Sequence, residues 1–138
     1  MKEISKILVP VDFSVNTEKL VDFAGFIAQK FGASLSFLHV IENPAAYEGY
    51  FVVKIEEEMR AAMVKKMDAL LQDRCKDGEG DVVIGDTVDT IVTRAKNYDM
   101  IIIGTHGYRG LEKIVMGSVA ERVVKNSPCP VLIFNPYK

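Results

Sequence analysis

Cysteine is scarce: Cys75 and Cys129 are the only two, in separate segments and without a C-x-x-C. Such a pair supports neither a disulfide framework nor a thiolate metal site, which leaves buried or idle thiols and fits a reducing cytoplasm. No apolar run approaches the roughly 20 residues that a bilayer-spanning helix needs, so no membrane partner is expected. Met1 to Ser5 passes directly into a strand-like run, without the charged, apolar and small-residue regions of a secretory signal. An excess of one charge is also missing, since 17 Lys and Arg against 19 Asp and Glu leave −2. Phosphate-backbone binding requires a basic block that is not there, and nucleic acid is not expected as a partner. What is present is 138 residues, 49% hydrophobic and 26% charged, a balance that supports one core and one domain over 1–138.

Periodicity predicts alternating elements. Ile4 to Val11 (ISKILVPV) is a β-branched run, and Ser14, Asn16 and Thr17 after it are good helix starters. Leu20, Phe23, Ala24, Ile27 and Phe31 recur at three- and four-residue spacing before Gly32, an amphipathic helix with its stop. Ala33 to Ile41 reads as a second strand and Glu42 to Tyr50 as a loop. Val52 to Lys76 reads as a long helix with Met59, Met63, Met67, Leu70 and Leu71 on one face, the methionines as core filler. Asp77 to Gly80 breaks that pattern before a short strand, Asp81 to Gly85. Thr87 to Asn97 is a helix with Val88, Ile91, Val92 and Ala95 inward. Asp99 to Gly104 is a strand apolar on successive residues, as expected when both faces are covered. A polar loop, Thr105 to Met116, precedes a helix opened by Gly117 and Ser118, and Val131 to Phe134 closes the chain as a fifth strand. Such alternation predicts an α/β fold, a doubly wound, mostly parallel sheet with helices on both faces. Ligands of such sheets bind outside the carboxyl ends of the strands, where the winding reverses.

Two strand ends carry chemistry: Pro10-Val11-Asp12 after the first and Gly104-Thr105-His106-Gly107 after the fourth. If those strands are neighbours, Asp12 faces a glycine-rich turn whose backbone N–H groups can approach an anion closely. Gly117 and Ser118 then start a helix, and free N–H groups with about half a positive charge favour phosphate there. The nine residues between Gly107 and Gly117 can span at most ~30 Å, enough to curl round a polyphosphate. Gly104, Gly107 and Gly110 do not make the G-x-G of a dinucleotide fingerprint, and Gly110-Leu111-Glu112-Lys113 does not make a Walker A loop.

The spacing Gly104-x2-Gly107-x9-Gly117-Ser118, taken with Val9-Pro10-Val11-Asp12-Phe13-Ser14, resembles the universal stress protein family, whose ATP-binding members carry G-x2-G-x9-G-[ST]. The resemblance runs over essentially the whole chain, through His39-Val40, Gly85-Asp86 and Pro128-Cys129-Pro130-Val131. It implies a five-stranded parallel sheet of order 3-2-1-4-5 and a bound nucleotide: ATP, with AMP or ADP as alternatives. Val40 would pair through its backbone with the adenine edge, and Pro10 and Val11 would form apolar walls. Asp12 would lie near the ribose or, indirectly, a phosphate-bound Mg²⁺ or Mn²⁺. Gly104 and Gly107 would bring backbone to the ribose and phosphates, with His106 and Arg109 in the same loop, while Gly117, Ser118 and Val119 would grip the terminal phosphates. The resemblance also implies a homodimer through the edge strand 131–134, whose apolar residues need a cover.

Plainer readings stand beside these. Ser118-x-x-Glu121 is a capping box, Asp12 is a helix-start residue, and the loop glycines are turn residues. His106 lacks an assignable nucleophile or orienting acid, so no catalytic residue is named, and the expected activity is binding with at most slow hydrolysis. Arg109 and Lys113 meet a phosphate or face solvent; His39 is a core or strand-end histidine. The functional expectation is a cytoplasmic, ATP-binding stress-response module in which nucleotide orders the 105–116 loop and modulates dimer or client contacts. The rivals are a nucleotide-independent dimeric module and an adenine-binding enzyme, but Val11-Asp12-Phe13-Ser14 is neither the H-x-G-H nor the S-G-G-x-D-S that the latter carries after its first strand.

Overall fold

Apolar β-branched runs alternate with amphipathic stretches, and each resolves into its own element. In the computed structural model residues 3–42, 50–105 and 116–137 are described, residues 50–52 by their backbone alone. The order is β1 (Lys6–Pro10), α1 (Thr17–Phe31), β2 (Ser34–Ile41), α2 (Tyr50–Arg74), β3 (Glu79–Ile84), α3 (Thr87–Ala95), β4 (Met100–Gly104), α4 (Ser118–Asn126) and β5 (Val131–Phe134). All strand pairs are parallel, and the sheet order is β3-β2-β1-β4-β5, as expected. Among the described residues no helix is long and apolar enough to cross a membrane.

The central strands are covered on both faces. Ile7, Val9 and Ile102 join α1 and α2 residues such as Val21, Ala24 and Met67 in one core. Leu8 and Ile101 join Val88, Ile91, Ala120 and Val123 of α3 and α4 in the other. Ile7, Val9, Ile101 and Ile102 have 0% exposure, and burying each such side chain stabilises the fold by about 1.5–3 kcal/mol. Gly32, at φ +65°, ends α1 by donating its N–H to Ala28 and Gln29, a left-handed turn that glycine adopts without Cβ strain. Arg74 near the end of α2 bridges Glu18 at 2.7 Å and Asp22 at 2.8 Å on α1, and these carboxylates, Asp22 first, raise the guanidinium pKa.

Three expectations are corrected. The first strand is shorter than Ile4 to Val11: β1 spans Lys6–Pro10, and Val11 keeps only its N–H on β2 while its carbonyl meets the His39 ring. β3 begins at Glu79, inside the predicted break; Gly80 belongs to the strand because a Cβ there would stand 2.5 Å from Met67 Cγ, so its bareness lets α2 lie close. The methionine face is incomplete: Met67 is buried and Met63 packs on the core, but Met59 is 38% exposed. With 25 residues α2 is about 37 Å long at 1.5 Å per residue, against about 20 Å for the six-residue β3. It outruns the strand it covers.

Candidate functional site

β1 feeds α1 on one face of the sheet, and β4 leads to α4 on the other. The two strands are neighbours, with Ile7 opposite Met100 and Leu8 opposite Ile101. Winding therefore reverses between them, and a crevice opens outside their carboxyl ends. It forms a cleft of about 560 Å³, within the size range of small-molecule sites.

Eight of the residues singled out in the sequence line this cleft: Pro10, Val11, Asp12, Val40, Gly104, Gly117, Ser118 and Val119. His106, Gly107 and Arg109, with Lys113, lie outside the described residues.

Each wall has a local cause. At the exit of β1, Phe13 adopts φ +58°, a left-handed turn that reverses the chain. The reversal brings the Ser14 N–H to Asp12 Oδ1 at 3.0 Å, and the Thr17 hydroxyl stands 3.5 Å from the same oxygen. Asp12 thus braces the start of α1, as the plainer reading has it, while Oδ2 meets no donor among the described residues. Phe13 is held in turn by the His39 ring, 4.7 Å between centroids.

At the exit of β2, Val11 N–H donates to Leu38 O at 2.8 Å and Gly85 N–H to Ile41 O at 2.9 Å. Backbone groups alternate sides along a strand, so Val40, between Leu38 and Ile41 in this register, turns its N–H and C=O toward β1. β1 ends at Pro10, Val11 still pairs its N–H with Leu38 O, and neither group of Val40 has a partner among the described residues. An open donor–acceptor pair faces the cleft. Beside it, Glu42 Oε1 accepts from both the N–H and the hydroxyl of Thr87, tying the rim of β2 to the start of α3.

At the far wall, Gly117 N–H donates to Thr105 O at 2.6 Å, which draws the start of α4 to the end of β4. Gly117 is the N-cap, so Ser118 is the first helical residue and the capping-box reading is corrected: Ser118 does not occupy the capping position. A helix start leaves its first amides without backbone acceptors. Those of Ser118, Val119 and Ala120 border the cleft.

Glu42, Thr87, Leu20, Ile91 and Phe134 also line the cleft and were not read as site residues from sequence. Gly85-Asp86 marks the turn before Thr87, but nothing local shows that Thr87 meets Glu42. Among the described residues the lining holds the acids Asp12 and Glu42 and no Lys or Arg, and no group of three His, Cys, Asp or Glu is placed to hold a metal.

With this geometry in view, comparison with known proteins is decisive. The profile of the Universal stress protein family matches residues 3–135. The chain belongs to the universal stress protein family. It is 32% identical over 136 residues to Universal stress protein MJ0531 of Methanocaldococcus jannaschii, covering 93% of this chain and 80% of that one. Among solved structures, hypothetical protein MJ0577 superposes with a TM-score of 0.84 at 28% identity over 97% of each chain. A universal stress protein solved in complex with cAMP shares the fold, with a TM-score of 0.73 at 24% identity over 98% of this chain and 99% of that one. The parallel order β3-β2-β1-β4-β5 is thus that of a universal stress protein chain.

Proposed function

We propose that the cleft binds ATP and that the bound nucleotide makes this universal stress protein a regulatory module. The observation that carries the reading is the pairing of two features across one crevice: an open backbone edge at Val40 and the free amides that start α4. A donor and acceptor at hydrogen-bond spacing suit the edge of an adenine, with Pro10 and Val11 as walls, and the α4 amides suit phosphate oxygens. AMP and ADP share the base and bind the same edge more weakly, and the relative solved with cAMP supports an adenine nucleotide.

The donor set fits a nucleotide-bound divalent cation. Mg²⁺ is commonly held by one or two carboxylates together with substrate phosphates, and Asp12 offers a single carboxylate whose Oδ2 meets no donor among the described residues. Such an ion, Mg²⁺ or Mn²⁺, would offset phosphate charge that no described Lys or Arg faces. Asp12 would hold and orient it, and Gly104, with Gly107, His106 and Arg109 beyond the described residues, would complete the phosphate side. No described side chain is placed as a general base beside the α4 amides, so hydrolysis is slow at most. Nucleotide contacts with the 105–116 segment would then alter the surface offered to a client or to a second copy paired through β5, an edge strand of four half-buried residues.

Titration calorimetry of nucleotide-stripped protein with ATP, with and without Mg²⁺, and with AMP and cAMP tests the proposal. Saturable binding near one site per chain, tightened by Mg²⁺ for ATP alone, is expected. No heat at millimolar ATP would overturn it and leave the nucleotide-independent dimer in front.

A further inference from the structure

The ladder between β1 and β2 stops one step before it needs to. Leu38 uses its carbonyl on Val11 N–H at 2.8 Å, and the next rung in this register would run from Val40 N–H to Val11 O. That rung is not made, and Val11 O accepts from the Nδ1 of His39 at 2.8 Å. A carbonyl only accepts, so the hydrogen sits on Nδ1, and this holds for the neutral ring and the imidazolium alike. The ring is fixed in that place by its neighbour Phe13, 4.7 Å between centroids, whose own ring lies 5.9 Å from the Lys66 ammonium.

We infer that His39 is a positioning residue that ends the β1–β2 ladder. By holding Val11 O it keeps the N–H of Val40 open, beside a C=O already freed by the turn at Phe13, as a strand edge for the ligand. His39 also lines the cleft, but in this role its Nδ1 is spent on Val11 O and it acts through the Val40 edge. It decides whether one backbone edge is spent within the sheet or presented to the cleft. Removing the ring frees Val11 O to take the Val40 amide, which extends the sheet by one rung into the crevice. Asparagine, whose amide N–H reaches about as far as Nδ1–H, restores the block; leucine and glutamine do not place a donor there.

Only the consequence for affinity rests on the nucleotide reading above; the state of the Val40 amide does not. The experiment therefore combines amide hydrogen exchange on nucleotide-free protein with ATP titration, for wild type, His39→Leu, His39→Gln and His39→Asn. In wild type the Val40 amide should exchange far faster than that of Leu38. His39→Leu should slow it about tenfold or more and weaken ATP by about tenfold, the scale of one hydrogen bond, while His39→Asn stays near wild type in both. If His39→Leu does not fold, His39→Gln reads the same exchange change. A Val40 amide as protected as Leu38 in wild type, or unchanged by loss of the ring, overturns the inference. Absent ATP binding in every variant, with the exchange pattern as expected, overturns the nucleotide reading and leaves this one standing.

Discussion

Gly117 donates its amide to the carbonyl of Thr105 at 2.6 Å, and that bond ties the start of α4 to the end of β4. A Cβ on Gly117 would stand 3.1 Å from the same carbonyl oxygen, so a branched side chain pushes the start of α4 away from β4. Gly117→Val is expected to weaken ATP by more than about tenfold while costing no more than about 1–2 kcal/mol of stability, because α4 keeps its core contacts through Ala120 and Val123. Paired calorimetric titration and urea denaturation check it; unchanged affinity would dissociate the helix start from the ligand.

Asp12 is expected to matter chiefly when a divalent ion is present. Asp12→Asn keeps an oxygen for the Ser14 amide and the Thr17 hydroxyl, so the turn survives. The charge is lost. Affinity for ATP without Mg²⁺ should change little, whereas the gain on adding Mg²⁺ should fall by about tenfold, the loss of one charge-assisted contact. An undiminished Mg²⁺ effect in titrations of the variant would free Asp12 from the metal.

Gly80 is where the sheet admits α2. Its missing side chain leaves 2.5 Å to Met67 Cγ and 3.0 Å to a Leu71 methyl, and Met67 is 2% exposed, with no room to retreat. Alanine would gain a little from a stiffer unfolded chain, but overpacking should win and lower stability by about 1–3 kcal/mol. A urea midpoint at or above that of wild type would show that α2 shifts freely.

Cys75 sets a pH dependence. Burial pushes its thiol pKa up, with a smaller push from Asp77 and a partial offset from a backbone hydrogen bond by Gly78. The folded state therefore holds the proton after the unfolded chain has released it. Its stabilising contribution is complete below the ordinary thiol value of 9.0 and is lost as pH rises through the folded value. Melting temperature should fall more steeply above that pH in wild type than in Cys75→Ala. Identical slopes would show that the thiol does not contribute.

Much of the fold was legible because it is periodic. The three- and four-residue spacing of Leu20, Ala24 and Ile27 and the unbroken apolar run Met100 to Ile103 each report the geometry of a single element. Element ends were less legible where a partner decides them. Gly80 looks like a breaker until Met67 is seen lying on it, and Met59 looks like core until α2 is seen to outrun β3. The glycine spacing marked one wall of the cleft, through Gly104 and Gly117, since bare backbone and a helix start are local properties.

Local sequence alone determined the alternation of strands and helices, the two glycine-marked approaches to the sheet edge, and membership of a family with this spacing, because each is written in neighbouring residues. The tertiary structure decided what those neighbours cannot know. Glu42 reaches Thr87, Arg74 reaches Glu18 and Asp22, and the His39 ring takes the Val11 carbonyl, leaving the Val40 edge open. Each is a hydrogen bond or ion pair between residues distant in the chain, whose existence depends on strand order and register.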